Sequence, residues 1–194
     1  MSDEPESIHA QVARVLATYR TMKERLVTDG AQGEDRDCPP VLHVFHQDGV
    51  ESIGLLVGGH PTDMAPAGIV EMCRNSGPPM AVIVASEAFG ITEGVDTEPP
   101  NMPRGELQRR FNEGDPRVTE CLNIHGVSAA GDVVASQSYT YGPDGDVVFG
   151  EVLQVEPDGG DLLDAIRRGV LQALFVCAPD VVLGAIAKMG SGSN

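Results

Sequence analysis

Apolar residues open the chain at a spacing near 3.6: Ile8, Val12, Val15, Leu16, Tyr19 and Leu26. Polar Gln11, Arg14, Thr18, Lys23 and Glu24 fill the gaps. That spacing gathers the apolar side chains on one stripe and predicts an amphipathic helix over Ser7–Val27, stopped at Asp29-Gly30. Residues 30–40 read as loop. The pattern then changes to β-type runs. Val41–Gln47 and Ile53–Val57 form a hairpin around Asp48-Gly49. Gly58-Gly59 ends the second run. Thr62 or Asp63 caps a short helix from about Ala65 to Asn75. Ala81–Ala88 is nearly all apolar and predicts a central strand buried on both faces.

Residues 90–116 are rich in Pro, Gly and acid and read as a long loop, with a helical turn or two around Glu106–Phe111. Arg117–Gly126, Asp132–Tyr141 and Val147–Val155 are three further strands joined by tight turns. Asp161 caps a long helix with Leu162, Leu163, Ile166, Val170, Leu174 and Phe175 on one side. Pro179-Asp180 starts a short helix through Lys188. The order is α-β-β-α-β-β-β-β-α. Hairpin-linked strands are antiparallel, so the expected class is α+β: a mainly antiparallel sheet of five to six strands with helices packed on one face. The whole chain reads as one domain, with a loose leader over 1–6 and a flexible tail over 190–194.

Charge narrows the function classes. The 194 residues carry 29 Asp and Glu against 13 Lys and Arg, a net charge of −16. Such a chain repels polyanions, so nucleic acid and anionic membrane surfaces are not expected partners. The four cysteines, Cys38, Cys73, Cys121 and Cys177, show no Cys-x-x-Cys pair. They read as reduced core thiols, not as a zinc ribbon. No apolar stretch approaches the ~20 residues of a membrane helix, and no secretory signal opens the chain. A cytoplasmic protein is the expectation.

Candidate chemistry is sparse. His43, His46, His60 and His125 with Asp63 and Glu87 offer metal-ligand types. His43 and His46 fall on opposite faces of their strand, so no metal site and no cofactor is expected. Alternation on Arg117–His125 puts Arg117, Thr119, Cys121, Asn123 and His125 on one side. The next strand puts Ser136, Ser138 and Thr140 on one face. This polar sheet face is either simply solvated or a binding surface using Arg117, Asn123, His125, Ser136 and Ser138. The 90–116 loop is a second candidate contact region. Phosphate-loop, nucleophile-elbow and His-Glu-x-x-His signatures do not occur. A small hydrolase would have to draw on His60, Asp63, Glu87 or His125, brought to one pocket.

The segments PPMAVIVASEAFG and DPRVTECLNIHGVSAAGDVVASQSYTY, with the acidic stretch between them, resemble small uncharacterised α+β proteins of actinobacterial or actinophage type. The scarcity of Lys beside Arg fits high-GC coding, although halophile acidity is a competing source of the charge. The resemblance implies no reaction; a phage origin implies an accessory or host-interaction role. The leading expectation is a binding protein whose partner is another protein or a copy of itself, with a small-molecule ligand also open. The enzyme reading comes second, and a DNA mimic last.

Overall fold

The computed structural model describes residues 6–30, 36–49, 51–91, 105–155, 157 and 160–183. Helix α1 (Ile8–Thr28) starts where Ser7 accepts a hydrogen bond from the Ala10 amide at 3.3 Å. This satisfies one of the free donors of the first turn. Strands β1 (Val41–His46) and β2 (Glu51–Leu55) form the expected hairpin. Helix α2 (Pro61–Ser76) begins earlier than the sequence reading placed it. The reason is local: His60, and neither Thr62 nor Asp63, is the cap, its Nδ1 accepting from the Thr62 amide at 3.3 Å. Pro61 sits at the first helical position, where its missing N–H is not needed.

Strand β3 (Pro79–Ile91) runs further than its apolar segment. A short α3 (Glu106–Asn112) follows, where a helical turn or two was expected. Residues 92–104, about half of the expected loop, lie outside the described residues. Residues 1–5 of the expected leader over 1–6 and the tail over 190–194 do so as well. Strands β4 (Val118–Ser128), β5 (Gly131–Tyr141) and β6 (Val147–Val155) form the meander. Helix α4 (Asp161–Cys177) takes Gly160 as its cap, with Asp161 inside the first turn. Residues 179–183 add one further helical turn.

The six strands make one antiparallel sheet in the order β2-β1-β3-β4-β5-β6, and the chain is α+β as its pattern predicts. One expectation is corrected: the helices do not share a face. On one side α1 packs with Val41, Phe45, Ile83, Ala85, Leu122, Ile124, Ala135 and Tyr139. On the other, α2 and α4 pack with Leu42, Val44, Val82, Val84 and Val127. Consecutive residues of β1 and β3 enter different clusters, which is the period of two at work. A central strand that is apolar throughout needs a cover on each side, so the continuous run Ala81–Ala85 already required two helical layers.

The two layers differ in reach. Helix α1 extends across β3, β4, β5 and β6. The opposite layer rests on β2, β1, β3 and β4, with α2 and α4 packed against each other. Among the described residues it reaches β5 only near the start of that strand, where Arg167 pairs with Asp132 and Val134 packs against the α2/α4 cluster. Among the described residues no helix is long and apolar enough to cross a membrane.

Candidate functional site

The four residues proposed for hydrolysis do not converge. His60 caps α2 at the surface, and Asp63 lies exposed in the first turn of that helix. Glu87 opposes Leu122, so its side chain is on the α1 face. His125 opposes Val84, so it is on the α4 face. The sheet stands between Glu87 and His125. Burial pushes His125 down to about 4, and its Nδ1 is buried with no hydrogen-bond partner among the described residues. His43 and His46 also divide between the faces. His43 bonds Glu51 at 3.0 Å, while His46 bonds Ser52 at 3.2 Å. Among the described residues no group of three metal-ligating side chains comes together.

The polar sheet face is partly assembled. Asn123 lies directly opposite Ser136, and Cys121 opposite Ser138. Ser86 continues the first row on β3 and Leu153 on β6. The row thus reads Ser86, Asn123, Ser136, Leu153 across four strands. His125 is the next residue on that face along β4. Arg117 does not join the group. Six residues of extended chain separate it from Asn123, about 20 Å at the rise of a strand. Its guanidinium instead lies against Asp115, with Nη2 to Oδ2 at 2.9 Å. The hydrogen bonds from Arg117 and Arg110 hold the Asp115 carboxyl far below the usual range.

Sequence reading missed the apolar members of this face. Val148 pairs with Thr140, Leu153 with Ser136 and Val155 with Val134. These three are 50%, 61% and 45% exposed. Among the described residues α2 and α4 reach this side of β5 only near Asp132 and Val134. Their alternation in the segment VVFGEVLQV was visible, but the register that puts them beside Ser136 and Thr140 was not.

A second arrangement was also invisible in the sequence. Lys23 is completely buried on the α1 face. Its Nζ lies 3.0 Å from Glu87 Oε1 and donates to the Arg36 carbonyl at 2.7 Å. The Cys38 amide donates to the same Glu87 oxygen at 3.0 Å. Tyr139 Oη lies 3.0 Å from Glu87 Oε2 and 3.4 Å from Glu120 Oε1. Burial by itself would lower the Lys23 pKa, but the charge and hydrogen bond of Glu87 outweigh it and raise the pKa. Burial pushes Glu120 up, helped by Glu87 and Asp37, against the pull of Lys23. Burial, with Glu87, also pushes the Cys38 thiol far above its ordinary value, so it is no thiolate nucleophile.

Next to this network the sheet forks. The β4–β5 ladder ends at Glu120 opposite Tyr139. Yet β4 continues against β3 as far as Val118, and β5 against β6 as far as Tyr141. The diverging ends leave an open cleft of about 460 Å³, lined also by Phe111 and Pro116. Glu120 and Tyr139 lie at its apex. The cleft is lined by the half-buried Glu120, by the aromatic residues Phe111, Tyr139 and Tyr141, and by Thr119, Ser138 and Thr140 of the flanking strands. No protein-family model, no curated protein and no solved structure matches this chain.

Proposed function

We propose that the chain is a protein-interaction module that works by binding, and that its first partner is a second copy of itself. The observation that carries this reading is that, among the described residues, the α2/α4 layer reaches β5 only near Asp132 and Val134. It leaves the β5–β6 surface with Val148, Leu153 and Val155 facing water beside Ser136, Ser138 and Thr140. Contiguous exposed apolar groups rimmed by polar ones mark contact surfaces. Strand β6 is also a sheet edge, and an edge of nine residues offers a row of free backbone donors and acceptors.

Charge favours this strip for contact between copies. Two chains of −16 repel each other. The strip Val147–Val155 carries a single ionisable side chain, Glu151. Antiparallel pairing of two β6 strands about a twofold axis would join two sheets and cover Leu153 and Val155 together. The scattering of His60, Asp63, Glu87 and His125 favours binding over hydrolysis, since general acid–base work needs them within reach of one point.

Sedimentation velocity tests the reading. The natural chain is expected to form dimers at tens of micromolar. Leu153→Glu, on the exposed face, is expected to be monomeric with an unchanged circular dichroism spectrum. A natural chain that stays monomeric at 0.2 mM, or a Leu153→Glu variant that dimerises equally well, rejects this surface as the contact between copies.

A further inference from the structure

The fork between β4 and β5 opens beside the β5–β6 surface, shares Ser138 and Thr140 with it, and adds Glu120, Tyr139 and Tyr141. We propose that this cleft binds a compact organic cation, a primary ammonium or guanidinium on a short apolar stem, with Glu120 as counter-ion and Phe111 and Tyr141 as walls.

Hydrogen-bond accounting points to Glu120. Tyr139 has one hydroxyl proton and two carboxylates within reach. Glu87 is the better acceptor in position, and it already has Lys23 and the Cys38 amide. Glu120 has only the longer contact to Tyr139. Among the described residues it forms no ion pair. A half-buried carboxylate held by one long hydrogen bond and no close cation gains from a cation brought beside it. A cation entering the cleft would supply that partner at the apex, where Glu120 stands.

The rings already show the preference. Lys23 Nζ lies 4.6 Å from the centre of Tyr139 and 5.8 Å from that of Tyr141. Arg36 Cζ lies 5.3 Å from the centre of Tyr141. Aromatic faces attract cations through their quadrupole, most strongly where water is excluded. A volume near 460 Å³ falls within the range of small-ligand pockets. The acidic chain raises the local concentration of cations and repels anions. A divalent metal is a poor fit, because no three ligating side chains meet among the described residues.

The groups facing Glu120 are Lys23 from α1, Asp37 from the segment before β1, Glu87 from β3 and Tyr139 from β5. A bound cation favours the ionised form of Glu120. Affinity should therefore rise with pH through the Glu120 titration, with proton release on binding.

Isothermal titration calorimetry on the full chain tests this with four cations and one neutral control. Agmatine and putrescine represent free amines. The Nα-acetyl methylamides of lysine and arginine represent a partner's side chain. The Nα-acetyl methylamide of glutamine is the control. Saturable one-site binding of at least one cation is expected, with none for the control. Affinity should fall at least tenfold in Glu120→Gln, which keeps the shape and the contact with Tyr139. Phe111→Leu, at the exposed rim, is expected to weaken the same ligand. Binding of the free amines alone identifies a small metabolite as the ligand class; binding of the blocked residues identifies a partner's side chain, and either supports the site. No saturable binding by any of the four cations, or equal affinity in Glu120→Gln, overturns it.

Discussion

At the scale of single residues, Lys23 dominates. It joins α1 to β3 through Glu87 and to the preceding loop through the Arg36 carbonyl. Lys23→Met leaves the Glu87 carboxylate buried without its cation. The expected loss is about 3–5 kcal/mol in urea unfolding, the range for breaking a buried pair from one side. Lys23→Met with Glu87→Gln should recover at least half, because no unpaired charge is left. A double variant as unstable as the single one would show that the pair does not act as a pair. The folded-state pKa of Lys23 is raised, so its contribution is complete below the unfolded value of about 10.4 and is lost only as pH rises through the folded value. The deficit of Lys23→Met should therefore be constant from pH 6 to 9.

Two other residues titrate with opposite consequences. The folded-state pKa of Glu120 is raised, so ionisation weakens the folded state as pH rises. Glu120→Gln should be more stable than the natural chain at pH 7. The difference should vanish below the unfolded value of about 4.3. His125 has its pKa lowered to about 4 by burial. The unfolded chain binds this proton near pH 6.5, so stability is lost as pH falls from about 6.5 towards 4. His125→Leu should flatten that part of a chemical-denaturation pH profile. An unchanged slope would mean that His125 is more accessible than its buried Nδ1 implies.

At the scale of elements, the contact of α2 with α4 depends on Gly169. A Cβ there would lie 2.6 Å from Ile69 Cδ1 and 2.8 Å from the Pro66 backbone. Backbone cannot move aside as a side-chain tip does. Gly169→Ala should cost about 1–3 kcal/mol through overpacking, against a helix-propensity gain of about 1 kcal/mol. A thermal scan showing stabilisation instead would mean that the two helices separate freely. Gly126 plays the same part for α1, since its Cβ would meet Val12 at 2.8 Å. Both layers are thus set by a glycine where a helix presses closest. The β6 edge is not uniform: a bulge between Gln137 and Tyr139 interrupts the β5–β6 ladder, so pairing between copies would use the end at residues 152–155. Such irregularities restrict edge pairing to part of a strand.

At the scale of the whole molecule, the net charge of −16 sets how any contact responds to salt. Repulsion between copies is screened as ionic strength rises, with a Debye length near 10 Å at 0.1 M. Self-association through β6 should tighten between 20 and 300 mM sodium chloride, measured by sedimentation equilibrium. Capture of a cation at Glu120 should weaken over the same interval. These opposite salt slopes separate the two proposed sites in one set of titrations, because no change in general stability moves both in opposite directions.

Much of the architecture was legible because it is written in local period. The helical stripe of α1, the hairpin at Asp48-Gly49, the apolar run of β3 and the β4–β6 alternation each depend on neighbours within about twenty residues. The placement of helices was misjudged for the opposite reason. A run such as Ala81–Ala85 requires cover on both faces, yet nothing local states which helix supplies which cover. The candidate site divides in the same way. Asn123 and Ser136 could be assigned to one face by alternation, and their direct pairing followed from the meander. Lys23, by contrast, read as a polar gap in an amphipathic helix, since its partner Glu87 lies 64 residues further on.

The sequence by itself determined the class of fold, the antiparallel pairing of its strands and a surface that repels anions. Those properties follow from periodicity, turn chemistry and total charge, each of which survives without knowledge of distant neighbours. Only the tertiary structure decided that the described α2/α4 layer touches just the start of β5, that β4 and β5 diverge at Glu120, and that a lysine is buried against a glutamate. Each of these depends on register and on which helix crosses which strand, and packing between remote segments sets both.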